Sequence, residues 1–253
     1  FVVDAVCPLV TKVHHEVKVR AGKGYSIVYV GHEGHDEAVG TMAVAPDTIH
    51  LVESDADVAD LPDPGGPVAL LAQTTLSHHD WAGVLEAARK RFPELWMPGR
   101  SDLCFATTNR QSALTRIAES ADAIVVIGSA NSSNTVALEK VAKAAGCPRV
   151  YRVNRADELP DDLSGTVGVT AGASAPEELV TAVIDRLAPV EGVELVSVTD
   201  EDEYFPPPRE LRELLVALDT VVCVSLGGAA PSASPFTDDR VVAASDVLAA
   251  LAG

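Results

Sequence analysis

No two cysteines of this 253-residue chain stand in a CxxC spacing; Cys7, Cys104, Cys147 and Cys223 are scattered along it. A zinc ribbon, a small disulfide scaffold and a conventional iron–sulfur electron carrier all need closely spaced cysteines and are disfavoured. Basic residues are also scarce, 19 against 37 acidic ones, which gives a formal net charge of −18. Nucleic acid is therefore not an expected partner, because phosphate contacts need clustered Lys and Arg. No apolar run approaches the roughly 18 residues of a membrane helix, and no secretory leader pattern opens the sequence. A cytoplasmic protein with no membrane partner is expected. No GxxxxGK(S/T) occurs, which disfavours a Walker-type nucleotide site. What is present is 47% hydrophobic and 22% charged, a globular composition that can bury a core in one large domain or two modest ones.

Apolar runs of strand length alternate with amphipathic helical patterns. Ser26–Val30, Pro67–Leu71, Ala123–Ile127, Arg149–Val153 and Thr166–Thr170 read as buried strands, and Phe1–Cys7 as an entry strand. Helices are expected over His79–Phe92, Gln111–Ala121, Asn134–Ala145 and Pro176–Leu187, with a short one from Arg209. Gly146 stands where a helix C-terminal cap belongs, and Pro176 where a helix can start without losing a needed donor. Such alternation implies α/β architecture with parallel sheets covered on both faces. A composition shift near Pro98-Gly99-Arg100 divides the chain into α/β domains 1–99 and 100–188. The acidic and proline-rich stretch after Ala188 opens a C-terminal segment and tail, 189–253, with a Gly/Pro/Ser-rich run at 227–235. Phe1 already lies inside the first strand pattern, so a preceding segment is expected.

Four strands run into polar turns: Gly31–Glu37, Gln73–Ser77, Gly128–Asn134 and Ala171–Ser174. In parallel α/β sheets ligands bind beyond the carboxyl ends of the strands, beside helix N-termini. The hydroxyls, amides and small residues of these turns suit an oxyanion held by uncharged donors and helix-start N–H groups. Ser77, Ser133 or Asn134, and Ser174 could each simply cap a helix. Capping, however, needs one polar residue per helix and leaves most of Asn131-Ser132-Ser133-Asn134 unexplained. His35 and Glu37 add acid–base capacity, since a carboxyl in a dry pocket has a raised pKa and can act as a general acid. A zinc set of His32, His35 and Glu37 is the alternative, although the spacing is not HExxH. His14, His15, His78 and His79 read as solvated or helix-end residues rather than ligands.

Six segments, in this order, resemble the motifs of one family: Asp4–His14, Gly31–Glu37, Gln73–Ser77, Asp102–Gln111, Gly128–Asn134 and Thr170–Pro176. They look like the LytB/IspH family of 4-hydroxy-3-methylbut-2-enyl diphosphate reductases, and the similarity runs from Phe1 to about Leu211. The resemblance implies the last step of the non-mevalonate isoprenoid pathway, in which two electrons and protons remove an allylic hydroxyl as water to give isopentenyl and dimethylallyl diphosphate. It implies a 4Fe-4S iron–sulfur cluster on three cysteines, with Cys7 and Cys104 matching two of them. It also implies that Glu37 is the proton-delivering carboxylate, that His35 is a diphosphate and proton-network partner, and that Thr74 lies near the substrate oxygen. Ser132, Ser133, Asn134 and Ser174 would hold the diphosphate. The fold implied is two similar parallel-sheet α/β domains, the remaining two of a three-domain trefoil-like arrangement, plus the tail. The third cluster cysteine is then expected from an N-terminal domain that precedes Phe1, and this chain alone is expected to be inactive. Asp36 stands where the family usually has proline. Cys147 reads as buried packing. A ferredoxin or flavodoxin is the expected electron donor, with Arg89-Lys90-Arg91 as the one short basic docking candidate. The competing reading is a redox-inert diphosphate-binding protein derived from the same family.

Overall fold

The computed structural model describes residues 2, 4, 6–200, 205 and 207–226. They divide between two compact units, Leu9–Asp200 and the termini, Phe1–Pro8 with Glu201–Gly253. Leu9–Asp200 holds two three-stranded sheets, all of whose pairings are parallel. The first contains β1 (Ser26–Val30), β2 (Ile49–Val52) and β3 (Val68–Ala72) in the order β2-β1-β3. The second contains β4 (Ala123–Ile127), β5 (Val150–Val153) and β6 (Val167–Ala171) in the order β5-β4-β6. The α/β expectation with parallel sheets is met, and the strands anticipated at β1, β3, β4, β5 and β6 lie within a residue of their expected bounds.

β4 is apolar at every position, and β1 is buried from Ile27 onward, because helices cover both faces. Side chains alternate across the pleat, so Val28 and Val30 join Val68, Leu70 and Ala72 on one face, while Ile27 and Tyr29 join Ala69 and Leu71 on the other. The first face packs on Val58 of α3 (Asp55–Asp60) and on Val84 and Ala88 of α4 (His78–Arg91). The second packs on Val13 and Val17 of α1 (Pro8–Gly22) and Ala38 of α2 (Asp36–Met42). The β4 sheet repeats the scheme. Ile124 and Val126 face Leu114 and Ala118 of α5 (Phe105–Ala118) and Leu138 and Ala142 of α6 (Ser133–Ala144). Val125 and Ile127 face Val183 of α7 (Glu177–Leu187). Gly146 adopts φ 85° just beyond the Ala145 cap of α6, as a left-handed helix stop requires.

Several elements differ from the sequence expectation. Val6 and Cys7 are not in a strand, and α1 begins at Pro8; Phe1, Val3 and Ala5 of the expected entry strand lie outside the described residues. Here proline at a helix start and the two-residue apolar stripe Val13/Val17 outweigh the β-branched composition upstream. β2 was not anticipated, nor were α1, α2 and α3. The helix from Arg209, α8 (Arg209–Ser225), is 17 residues long rather than short. His14 is half-buried in the middle of α1 with its Nε2 sheltered, neither solvated nor at a helix end. The run at 227–235 lies outside the described residues. None of the helices among the described residues is long and apolar enough to cross a membrane.

Candidate active site

β1 and β3 are neighbours, so the turns leaving their carboxyl ends meet. His35 ends the β1 turn as the N-cap of α2, and its Nδ1 accepts the Glu37 N–H at 3.2 Å. An imidazole nitrogen that accepts is unprotonated, so the hydrogen sits on Nε2. Burial acts in the same sense, holding the His35 pKa below its ordinary value against the opposing charge of Asp36. The segment is therefore partly helical, with Glu37 in the first turn of α2 rather than in a loop.

The Glu37 carboxylate accepts two hydrogen bonds from a residue 37 positions away. Thr74 N–H donates to Oε1 at 2.8 Å and the Thr74 hydroxyl donates to Oε2 at 3.0 Å. Burial raises the Glu37 pKa; the two bonds from Thr74 oppose it, and the nearby Asp102 charge adds to it. The net direction is upward, as a proton-holding carboxyl requires. Thr74 is itself buried, and its carbonyl accepts the Cys104 N–H at 2.7 Å. Cys104 is the N-cap of α5, half-buried, and its side chain makes no capping bond. The thiol thus stands at the start of a 14-residue helix. His35, Glu37, Thr74 and Cys104 are linked residue to residue, Cys104 through its backbone N–H.

Gln73 ties these residues to the β1 turn. Its side chain is fully buried, Oε1 accepts the His32 N–H at 3.0 Å, and Nε2 donates to Thr75 Oγ1 at 2.8 Å. Asp102 does the same for Cys104: buried two residues before it, Asp102 accepts from Lys12 Nζ at 3.1 Å and from Ala72 N–H at 3.2 Å. Sequence reasoning assigned no role to Gln73, Asp102 or Lys12. A buried amide directly after the all-apolar β3 is the one local signal that marks Gln73.

A second polar group stands at the carboxyl ends of β4 and β6. Ser132 is the N-cap of α6, its Oγ accepting the Thr135 N–H at 3.3 Å. Ser77 likewise caps α4 through Asp80 N–H at 3.0 Å, whereas Pro176 and not Ser174 precedes α7. Capping therefore accounts for Ser77 and Ser132 and leaves Ser133, Asn134 and Ser174. Asn134 is only 5% exposed, and neither Oδ1 nor Nδ2 has a hydrogen-bond partner. Unpaired buried polar atoms are costly, so a side chain left this way at a helix start fits a ligand that completes it. α6 approaches the strand ends closely because glycines stand there: a Cβ on Gly128 or Gly172 would lie 2.5 or 2.3 Å from Thr135 Oγ1. The same contact puts the turn that carries the exposed Ser174 beside Ser132, 3.7 Å from such a Cβ on Gly172.

Among the described residues no three His, Cys, Asp or Glu side chains are grouped to hold a metal ion. His32, His35 and Glu37 are among these residues and form no such group, so the zinc set is not assembled. For a thiolate-held cluster the donor chemistry fits at Cys104. Cys7 is exposed and belongs to the terminal unit. Cys147 is buried with its Sγ 3.4 Å from Arg149 O, in agreement with a packing role, and Cys223 lies on α8 with its Sγ 3.8 Å from Asp219 Oδ1.

Residues 1–188 match the family model described as LytB protein. The 4-hydroxy-3-methylbut-2-enyl diphosphate reductase of Beijerinckia indica is 46% identical over 221 residues, 84% of this chain and 69% of the relative. Those of Bifidobacterium longum and Streptomyces avermitilis are 46% and 44% identical, covering 83% and 91% of this chain. The chain spans 62% and 70% of their respective lengths. Among solved structures, the E-1-hydroxy-2-methyl-but-2-enyl-4-diphosphate reductase from Plasmodium falciparum superposes with a TM-score of 0.80 at 28% identity, over 85% of this chain and 70% of that one. With its two parallel sheets and a match across three quarters of its length, the chain belongs to the LytB protein family.

Proposed function

We propose that this chain serves 4-hydroxy-3-methylbut-2-enyl diphosphate reduction, in which the substrate's allylic hydroxyl leaves as water. Two electrons and two protons are consumed, and isopentenyl and dimethylallyl diphosphate are formed. The observation that carries this reading is the hydrogen-bonded linkage from Glu37 through Thr74 to the Cys104 backbone. A 4Fe-4S cluster held by three thiolates supplies the electrons and an open iron that acts as a Lewis acid when bound. Cys7 and Cys104 would be two of its ligands, and the third is assigned to the part of the family's length that this chain does not span. Glu37 would hold the proton, since burial raises the pKa of its carboxyl above the ordinary value. Thr74 fixes both carboxyl oxygens and keeps its hydroxyl beside the reacting oxygen. His35 presents its Nε2–H as a donor to the diphosphate, while Ser132, Ser133, Asn134 and Ser174 supply neutral donors at the start of α6 and beside it. This suits a protein of net charge −18, which holds the anion by N–H and O–H groups rather than by lysines. A ferredoxin or flavodoxin would bring the electrons. Arg91 donates to the Ala59 and Leu61 carbonyls, so Arg89 and Lys90 are what the basic triplet offers such a donor.

The test is anaerobic reconstitution with iron and sulfide, of the chain alone and of the chain extended by the N-terminal domain of a relative. It is followed by electron paramagnetic resonance and a product assay. The extended protein should show the cluster and turnover, and Cys104→Ser should lose both. An extended protein that binds pyrophosphate but takes up no cluster would favour the redox-inert reading instead.

A further inference from the structure

We propose that Lys12 and Asp102 form a clamp that positions Cys104, and through it Thr74, for cluster binding; this rests on the reading of Cys104 as a cluster ligand. The segment from Arg100 to Leu103 has no helix or strand of its own to hold it. Lys12 grips it with a single ammonium group, donating to Arg100 O at 3.2 Å, Ser101 O at 3.3 Å and Asp102 Oδ1 at 3.1 Å. The second Asp102 oxygen takes the Ala72 N–H, the last of β3. On that edge of β3, Val68 O and Leu70 N–H are paired with Trp96, and the carboxylate continues the pairing one step further toward Thr74. Two residues on, the Cys104 N–H closes onto Thr74 O. The turn that leads to the thiol is therefore pinned by two elements, α1 and the β3 edge.

An ion pair of this kind contributes little to net stability, because the cost of drying the carboxylate offsets the attraction. The Asp102 side chain is 2% exposed and that of Lys12 33%, so the carboxylate is dried while the ammonium keeps contact with water. What the pair supplies is register. One buried carboxylate can satisfy both donors only with the turn in this place. α1 begins directly after Cys7, so the residue that grips the Cys104 turn is carried on the helix that follows the other candidate thiol.

The test compares Lys12→Met, Lys12→Arg and Asp102→Asn. Amide hydrogen exchange is read at Ala72 and Cys104, with Ile124, Val125 and Val126 of β4 as internal reference. Lys12→Met and Asp102→Asn should speed exchange at Ala72 and Cys104 about tenfold with the β4 amides unchanged, and Lys12→Arg should restore protection. After anaerobic reconstitution of the N-terminally extended protein, Lys12→Met should lose iron to a chelator faster than the parent, and Lys12→Arg should not. Unchanged exchange at Cys104 in both Lys12→Met and Asp102→Asn would overturn the clamp. So would altered exchange with iron retention equal to the parent's. If the parent itself holds no iron, the cluster reading fails and the positioning role falls with it, while the exchange data still show separately whether the clamp exists. Should Asp102→Asn fail to fold, the Lys12 pair decides alone, since Lys12 is partly exposed.

Discussion

Replacing Glu37 by glutamine keeps the shape of the side chain and removes its charge, so it separates the cost of burying a carboxylate from the use made of it. The two hydrogen bonds from Thr74 favour the ionised form. Burial, aided by the nearby Asp102 charge, outweighs them, and the pKa is raised. A carboxyl raised in the folded state binds more protons there than in the unfolded chain. Its contribution to stability is complete below the unfolded pKa and is lost as pH rises through the folded one. An uncharged amide at this position has no such dependence. Measured by urea denaturation of the unliganded chain at several pH values, the stability of Glu37→Gln relative to the parent should therefore climb as pH rises from about 4, the unfolded value, through the raised folded one. Each pH unit within the window adds at most about 1.4 kcal/mol. Turnover of the reconstituted, extended protein should meanwhile fall about 100- to 10,000-fold, the span typical of a lost general acid. A relative stability that stays flat or falls with pH would refute the raised carboxyl, and full turnover would refute its use.

Other substitutions test the remaining parts. Thr74→Val removes the hydroxyl and keeps the N–H, so it should shift Glu37 toward its protonated form by about 1.5–3 kcal/mol, read as a higher midpoint in carboxyl-carbon NMR titration of the unliganded chain. Asn134→Ala removes two unpaired buried atoms and should leave the melting temperature equal or higher, while calorimetry shows pyrophosphate binding weakened at least about tenfold. Gly172→Ala drives a methyl against Thr135 Oγ1 and should destabilise by about 1–3 kcal/mol in urea, whereas an unchanged midpoint would mean that α6 moves freely on its sheet.

The parts of the fold legible in the sequence are those where burial is unambiguous. β4 reads as Ala123-Ile124-Val125-Val126-Ile127 with every side chain inside, and nothing competes with that assignment. α1 was hidden because its buried stripe is only Val13 and Val17, among Lys12, His14, His15, Glu16, Lys18 and Arg20. α5 begins at Phe105, six residues before the expected Gln111, because Thr107 and Thr108 have weak helix propensity; yet Thr107 is 2% exposed, and tertiary packing decides. At the site, strand-end chemistry marked the turns, and the family resemblance singled out Glu37, Thr74 and Cys104. Neither indicated how they are held. Thr74 to Glu37 spans 37 positions and Lys12 to Asp102 spans 90, and no local period encodes a bond between a helix and a turn that far apart.

That long-range stitching has a consequence for how substitutions combine. The turn Gln73–Leu76 carries bonds to β1, to the β1 turn, to α2 and to α5: Gln73 N–H to Val30 O, Gln73 Oε1 from His32, Thr74 to Glu37, Cys104 N–H to Thr74 O, and Gln111 Nε2 to Leu76 O at 3.3 Å. Residues that share one network do not contribute independently. Glu37 and Asp102 are not bonded to each other, yet each raises the cost of charge on the other or on a shared neighbour, and Thr74 and Cys104 lie between them. In a double-mutant cycle, Glu37→Gln with Asp102→Asn should therefore depart from the sum of the two single changes in stability by more than about 0.5 kcal/mol. A cycle pairing Glu37→Gln with Lys143→Met, which disrupts an exposed ion pair on α6, should be additive within about 0.5 kcal/mol. Additivity in both cycles would mean that the turn transmits nothing, and that the proton-holding carboxyl and the candidate thiol are held in place separately.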